Sequence, residues 1–418
     1  MAIIGTGIAG MGCGHFLSRK YDLTFYEQGA HIGGHTHTVT VDEEGTPVPI
    51  DVGFIVYNEV TYPNLTRLFR ELDVPTVDSS MSFSVQHLPT GLEYCGSGLS
   101  GLFGQRRNLL RPSFYRFLGQ VDRFNKQSPE ILENPRFADM TLAEYVKKNG
   151  FTDEFLQNYL IPMSSAVWSM SPEKMLEFPA STLVRFFKNH GFLGLNTQHQ
   201  WKTVRGGSWE YRDRLIAPFR DRISINCGAV RVLRENGKAT VVASDGSRAE
   251  FDKVILACHA DQALRLLDRP TALEENLLKP FVYQKNTGIL HTDANVMPRT
   301  RRVWSSWNYR MDPTPDGRLA PSTVYYMNSL QQVSRKKDYF VSINDPGIVR
   351  PEHILRRFEY DHPVFSRAAV RAQRDLPALN ANTTVYFCGS YFRYGFHEDA
   401  FTSALDLSRA LTGERLWE

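Results

Sequence analysis

The sequence predicts an α/β protein of two interleaved parts: a Rossmann-type dinucleotide-binding domain, and a second domain of mixed sheet and helices. Three observations predict it. The first 27 residues read as strand, glycine turn, helix and second strand ending in an acid. Strand-like stretches with glycine turns return at residues 222–258 and again at 384–399. Between them lie helix-like and aromatic-rich blocks with no internal repeat, low-complexity tract or long linker, so the domains interleave rather than follow in tandem.

The first unit opens on the apolar run Ala2-Ile3-Ile4 and turns through Gly5-Thr6-Gly7-Ile8-Ala9-Gly10. Gly5 permits the tight turn, Gly7 lets a pyrophosphate approach the backbone, and Gly10 lets helix and strand pack closely. The free N–H groups at the start of the helix over residues 8–18 then face phosphates. A second strand over residues 23–26 delivers Glu27, placed where a carboxylate accepts both ribose hydroxyls, with Gln28 beside it. This spacing by itself admits NAD and FAD equally.

Gly29-Ala-His31-Ile-Gly33-Gly34-His35-Thr36-His37-Thr38 suits a loop around a charged ligand, or a plain surface turn. Residues 39–50 read as a hairpin turning at Glu43-Glu-Gly45, followed by Asp51-Val-Gly53-Phe54, where the glycine lets backbone lie against a flat ring. Leu65, Leu68, Phe69 and Leu72 recur at helical spacing over residues 62–72, and residues 81–95 read as strands. At Arg111-Pro112 the proline opens a helix. Phe114, Phe117, Leu118, Val121 and Phe124 form its apolar stripe, with Arg116 and Arg123 on another face. That pattern fits a core-facing helix with a solvated basic side, or a peripheral contact with anionic membrane through residues 101–126. Residues 129–200 are mainly helical, with a capping box at Thr141–Glu144 and an interruption at Pro162. The aromatic segments 159–195 and 303–327 are either plain packing or the walls of an apolar pocket. Asn236-Gly237 and Asp245-Gly246 turn hairpins, and residues 254–258 form a buried strand. The chain closes on a strand at 384–388, then Gly389-Ser390, a polar turn through Phe396-His397-Glu398-Asp399, and a helix over residues 400–411.

Bulk properties set limits. The 418 residues, 42% hydrophobic and 22% charged, are those of a soluble globular chain of two or three domains. No run of about 18 apolar residues predicts a membrane span, and the chain opens directly on the first strand, so no signal peptide is expected. A net charge of +3 argues against nucleic-acid binding while leaving a local basic surface open. Cys13, Cys95, Cys227, Cys258 and Cys388 are odd in number and lack CxxC spacing. They read as reduced thiols of a cytoplasmic protein, with no disulfide framework or metal site.

Taken together, Gly5-x-Gly7-x-x-Gly10, Glu27, Gly33-Gly34, Asp51-x-Gly53, Asp252-x-Val254-Ile-Leu-Ala257 and the Gly389 to Asp399 end resemble the flavoprotein superfamily of amine oxidases and phytoene desaturases. The resemblance implies FAD held in extended form and an amine-oxidase-like fold. FAD would be bound by residues 1–80, 202–275 and 380–418, and substrate by 81–201 and 276–379. It implies that Gly5, Gly7, Ile8, Ala9, Gly10, Glu27, Gln28, Gly33, Gly34, His35, Thr36, Gly53, Phe54, Val230 and Ala257 contact the cofactor. Val230 would lie at the adenine, and Gly389, Ser390, Phe396, His397, Glu398 and Asp399 at the ribityl and ring end. Gly33-Gly-His-Thr-His-Thr-Val39, Thr61-Tyr-Pro-Asn64, Met81-Ser-Phe-Ser-Val85, Gly98-Leu-Ser-Gly-Leu-Phe103 and Tyr159-Leu-Ile-Pro162 are further similar to a bacterial "predicted NAD/FAD-binding protein" family. They are similar also to the N-terminal oxidase-like domain of plant cyclopropane fatty-acid synthases, and some bacterial relatives are linked to furan fatty-acid formation. Two departures stand out. Amine oxidases often carry a lysine on a substrate-domain strand near flavin N5, but its place falls near Thr287 or Gly288, with Lys285 out of register. His35 replaces the arginine that often follows the glycine pair.

The function these readings imply is FAD-dependent hydride removal from a fatty acyl chain, giving desaturation, with a lipid methyltransferase as a functional partner. A proton acceptor near the ring titrates near neutrality. His397, His37 and His190 are its candidates, with Tyr309 weaker, and a structural role is open for each. Glu398 and Asp399 either position the flavin or cap a helix. The rivals are a redox-neutral double-bond isomerase, an amine oxidase, and an FAD-binding partner without turnover.

Overall fold

Strand Ala2–Ile4 lies at the middle of a five-stranded parallel sheet, with Thr24–Tyr26 and Val254–Leu256 as its neighbours. Ile223–Ser224 and Val385–Phe387 form the two edges. The structure is a computed structural model and describes residues 1–137, 139–194 and 197–417. Ala2–Ile4, Val254–Leu256 and Val385–Phe387 are buried throughout, as apolar strands covered on both faces must be. One face is covered by the helices Ile8–Leu17 and His397–Thr412, which pack tightly because the first is rich in small residues, and the other by the sheet of residues 229–251 and the helix Ala260–Leu266. A Cβ on Gly12 would stand 3.0 Å from the Phe401 ring and 3.1 Å from Ala404 Cβ.

A seven-stranded sheet forms the second layer, in the order Ile354–Val364, Val282–His291, Phe340–Ile343, Leu319–Tyr326, Trp307–Pro313, Phe83–His87, Leu92–Cys95. The chain enters it twice, at residues 83–95 and 282–364, between visits to the parallel sheet. The sequence reading missed its longest strand, Ile354–Val364, whose run Arg356-Arg-Phe-Glu-Tyr-Asp-His-Pro363 reads as a polar segment. An edge position explains both the charge and the proline, since one side of such a strand needs no partner.

Local chemistry accounts for several joints. The hairpin Thr38–Glu43/Thr46–Asp51 turns at Glu44 and Gly45, with φ of 55° and 83°, the pair of positive values a two-residue turn requires. Asn236 and Gly237 do the same at 51° and 75°. Thr141 and Glu144 cap the helix Leu142–Lys148 reciprocally. Ahead of Pro162 the helix widens into a π turn, Leu156–Leu160, before continuing as Ile161–Trp168. A proline offers no N–H to the carbonyl four residues back, and here the Tyr94 hydroxyl donates to that Asn158 carbonyl at 2.6 Å.

The helix Pro112–Gln127 begins at its proline and buries Phe114, Phe117 and Phe124, with Leu118 and Val121 half-buried. One expectation is corrected here. Arg123 does not face solvent beside Arg116: its guanidinium donates to the Asn149 and Gly150 carbonyls and lies 4.1 Å from the Phe151 ring centroid. In the aromatic segment 183–195, Phe186, Phe187 and Phe192 are buried, and Leu195 lies outside the described residues. No helix among the described residues is long and apolar enough to cross a membrane.

Candidate active site

The glycine turn adopts three different environments. Gly5 has φ of 98°, and a Cβ on Gly10 would stand 2.0 Å from the Gly5 carbonyl oxygen, so neither position accepts a side chain. At Gly7 a Cβ would meet nothing within 4 Å. No side chain caps the helix that starts at Ile8, so the first-turn N–H groups of Ile8, Ala9 and Gly10 open on that space. Glu27 stands over the turn. Thr6 N–H and Oγ1 donate to its Oε2 at 2.9 and 2.6 Å, and Gly29 N–H donates to Oε1 at 2.7 Å. This revises the expectation of two ribose hydroxyls: three of about four lone-pair positions are taken, which leaves Oε1 to accept one.

Val230 sits at an irregularity in the strand Ala229–Glu235, where the register passes from Ala229↔Ala243 to Arg231↔Val242 and leaves it unpaired and 53% exposed. Gln28 is exposed, with its side chain against Gly228. Ala257 N–H donates to Ile4 O at the centre of the sheet. His259, just beyond, stacks on Tyr283 at 4.2 Å, and its buried Nδ1 has no partner among the described residues.

The loop of residues 29–38 folds back over the glycine turn. Gly33 and Gly34 have φ of 126° and 58°, and a Cβ on Gly34 would lie 3.3 Å from Gly7 Cα. Thr36 and Tyr211 share a short hydrogen bond, and His397 Nε2 lies 2.9 Å from the Tyr211 hydroxyl and 3.2 Å from Thr36 Oγ1. Phe54 stacks on the His397 ring at 4.0 Å. Gly53 departs from the expectation that its backbone lies against a flat ring: the missing Cβ makes room for the His35 carbonyl, which would be 2.2 Å away. Asp51 accepts from Thr38, from the Ser208 N–H and hydroxyl, and from Gln331, and burial pushes its carboxyl up to about 6.

At the C-terminal turn, Gly389 N–H donates to Ser403 Oγ, and the Ser390 carbonyl accepts from Arg393 and Gly395. At the helix start the two acids take the capping role, one of the two the sequence left open. Glu398 points away from the glycine turn. Its Oε1 accepts from Asn64 N–H (3.0 Å) and Asn64 Nδ2 (2.9 Å), and its Oε2 from Leu65 N–H (2.9 Å), which caps the helix Pro63–Glu71. Asp399 accepts from the Phe396 N–H at 2.9 Å and caps its own helix, and burial raises its carboxyl to about 7. Phe396 stacks on Phe186 at 5.0 Å, joining this turn to the aromatic segment.

None of the candidate proton acceptors titrates near neutrality. Burial lowers His397 to about 3, and His37 and His190 to about 4. His37 Nδ1 is 2.8 Å from the Tyr360 hydroxyl. His190 is fixed between Thr61 Oγ1 and the Phe186 carbonyl. Tyr309 belongs to a separate cluster with Phe117 and Met311, and its buried hydroxyl has no partner among the described residues.

Reasoning from sequence missed the groups that the strand Ile354–Val364 brings to the loop. Tyr360 stacks on His35 at 4.5 Å, and His362 lies 5.4 Å from His35. His362 Nδ1 is 2.8 Å from Asn286 Nδ2, and Asn344 donates to Asn286 Oδ1 at 2.7 Å. Burial pushes His362 to about 4 and His35 well below its ordinary range. The two-residue period of Phe358, Tyr360 and His362 was the available signal. On the paired strand, Lys285 and Thr287 are exposed while Asn286 and Gly288 face inward, and Phe358 covers Gly288 so closely that a Cβ there would be 1.9 Å from the ring.

These features fit FAD. The open space at Gly7, the uncapped helix start, the single free acceptor site on Glu27 and the unpaired Val230 suit a pyrophosphate, a ribose and an adenine in sequence. The flavin containing amine oxidoreductase family matches residues 8–291. No curated protein matches the chain in sequence. Among solved structures, a putrescine oxidase bound to putrescine is similar with a TM-score of 0.71 at 14% identity, over 99% of this chain and 98% of that one. A cyclohexylamine oxidase from Brevibacterium oxydans IH-35A gives 0.68 at 14%, and a CLA-producing fatty acid isomerase from P. acnes 0.66 at 15%, each over 98% of both chains. At such identities the likeness is one of fold, and it bears out the amine-oxidase-like α/β arrangement of two domains.

Proposed function

We propose that this chain, which belongs to the flavin containing amine oxidoreductase family, acts on fatty acyl groups. It is an FAD-dependent oxidoreductase, and bound FAD supplies the hydride acceptor. The observation that carries the acyl reading is the inward face of the strand Val282–His291. Asn286 is held there by His362 and Asn344, and the Phe358 ring fills the space over Gly288 in which a lysine side chain would rise. The side chains around it carry little charge: His35, His37, His362 and His397 are held neutral at pH 7 by burial. An aromatic surround whose histidines are neutral, and whose Asp51 is already engaged by Thr38, Ser208 and Gln331, suits an apolar chain and gives an ammonium little counter-charge. The resemblance to the oxidase-like domain of plant cyclopropane fatty-acid synthases supports the same substrate class, as does a fold shared with a protein named as a fatty acid isomerase.

In this reading the aromatic side chains around Trp168, Phe186 and Phe396 exclude water and orient the chain. Desaturation removes a hydride from one carbon and a proton from its neighbour. The low values of the candidate histidines favour a second reading, a redox-neutral double-bond shift, in which hydride leaves an allylic carbon and returns to the far carbon of the former double bond, with no proton exchanged.

Anaerobic bleaching of the bound flavin tests the proposal. Phospholipids with cis-unsaturated or methyl-branched chains bleach it and free amines do not, whereas bleaching by amines alone sinks the acyl reading. A shifted double bond in the recovered lipid, without consumption of oxidant, selects the isomerase.

A further inference from the structure

We infer that the surface built from residues 98–116 docks on an anionic phospholipid bilayer; the inference rests on the acyl-chain reading for its purpose, and on its own geometry for its site. Ten large apolar side chains are exposed among the described residues, and four of them, Leu99, Leu109, Leu110 and Tyr115, fall within 17 positions. Leu99 is 75% exposed and Leu110 87%. Clustering of this kind marks an interaction site, where single exposed leucines would mean nothing.

The local structure presents these side chains together. The short helix Gly98–Leu102, the turn Arg106–Leu110 and the start of the helix Pro112–Gln127 follow one another along the chain, joined through Phe103 and Tyr115. The Tyr115 hydroxyl donates to the Leu109 carbonyl at 3.0 Å, and Phe103 packs against Phe114 and Tyr115 at 5.7 and 5.9 Å. A tyrosine among leucines at a protruding turn is the composition of a bilayer interface, where the ring sits at headgroup level.

Charge decides which partner fits. Arg106, Arg107 and Arg116 are exposed and Arg111 half-buried, and the sequence has no acidic residue between Glu93 and Asp122. Glu93 itself is buried, its carboxylate accepting from the N–H groups of Arg299 and Thr300. That contact brings the exposed Arg299 and Arg302 to the same side, since Gly104 packs against Val303 and the Arg302 backbone. A second copy of the chain would set arginine against arginine across a twofold axis. Lipid phosphates meet the arginines while acyl chains receive the leucines, so one partner satisfies both halves of the surface.

The surface also covers an aromatic cluster of the second domain. Phe114 and Phe117 contact Tyr94 at 6.2 and 5.5 Å, and the same cluster contains Ala166, Tyr309 and Met311, with Trp307 packed against it. Aromatic side chains therefore run without a break from the exposed leucines to the sheet of the second domain.

Vesicle co-sedimentation of the FAD-loaded protein tests this. The wild type is expected to bind vesicles of phosphatidylcholine with phosphatidylglycerol, to lose binding as salt rises, and to bind phosphatidylcholine alone weakly. Leu109→Ser with Leu110→Ser lowers the partition coefficient roughly tenfold. Arg111→Glu with Arg116→Glu lowers it about tenfold or more. Arg248→Glu, an exposed arginine on the peripheral sheet of residues 229–251, changes it little. Each variant is compared at equal flavin absorbance and unfolding midpoint, and Leu110→Ser alone replaces the double variant if that one unfolds. Absent binding by the wild type, or variants that bind as it does, overturn the inference. So does a dimer that Leu110→Ser converts to monomer. Lipid dispersed in detergent separates the two proposals: bleaching there without vesicle binding removes the surface, and vesicle binding through these residues without bleaching by any lipid removes the acyl reading.

Discussion

Glu398→Gln separates two roles that its sequence position allows. The substitution keeps the volume and one carbonyl oxygen. If that oxygen stays with Asn64, the new amide group faces the Leu65 N–H, donor against donor, across the present 2.9 Å contact. If the amide turns, both Asn64 donors lose their acceptor. One buried N–H without a partner costs about 1–3 kcal/mol, and losing a carboxylate from a helix start about 0.3–1 kcal/mol more. Burial opposes this, because it already raises the Glu398 carboxyl and removing the charge recovers part of that cost. The net expectation is a loss of about 2 kcal/mol. At a specific unfolding entropy of roughly 2.1 cal/mol/K per residue, a chain of 418 residues loses about 2 °C in midpoint. Thermal and urea unfolding measure this, with flavin stoichiometry and the visible spectrum recorded on the same samples. The cap account predicts a lower midpoint with an unchanged spectrum. An unchanged midpoint with a shifted spectrum or weakened flavin retention refutes it and returns Glu398 to the cofactor.

Gly7→Ala and Gly10→Ala should part company. The first lowers FAD retention while leaving the unfolding midpoint of the flavin-free protein nearly unchanged, and the second lowers both, because only Gly10 has no room for a Cβ; flavin-to-protein ratio and unfolding curves read the difference. Tyr94→Phe leaves the Asn158 carbonyl without its donor and should cost about 1–3 kcal/mol in urea unfolding. Stability should also fall on acidification from pH 6.5 to 5. His37, His190, His362 and His397 have folded values of about 3 to 4, below an unfolded value of about 6.5, so their contribution is complete above 6.5 and lost as pH falls. Asp51 and Asp399 are raised to about 6 and about 7, so their contribution has the opposite sign, present below about 4 and lost as pH rises through those values. For these six groups the unfolded chain binds about two more protons than the folded one near pH 5, so stability falls as pH falls there. A flat profile of midpoint against pH over that window would contradict the buried, neutral state of these histidines.

The parts of the fold visible in the sequence are those set by neighbours along the chain. Gly5, Gly7 and Gly10, the turns at Glu44-Gly45 and Asn236-Gly237, the Thr141–Glu144 cap and the proline at 112 are each decided within a few residues. Glu398 was ambiguous because its partners, Asn64 and Leu65, lie more than 330 positions away. Ile354–Val364 was masked, despite the two-residue period of Phe358, Tyr360 and His362, because its burial is one-sided and four charged residues interrupt it. The histidines failed for a third reason. Their identity suggested titration near neutrality, but the value depends on desolvation, which tertiary packing sets.

The acyl reading and the docking surface support each other through one energetic constraint. Each methylene brought into water costs about 0.8 kcal/mol, so a chain of about 16 carbons crossing from bilayer to enzyme through solvent meets a barrier of roughly 13 kcal/mol. An apolar pocket does not offset this, because the bilayer interior is already apolar and the transfer itself is nearly neutral. Only a continuous apolar path removes the barrier. If the proposed surface docks, the apolar side chains that continue inward from the exposed Leu109 and Leu110, through Phe103, Phe114 and Tyr115 to Phe117, Tyr94 and Tyr309, mark the side on which such a path would have to open. An enzyme for small amines has no use for it, since its substrates arrive through water.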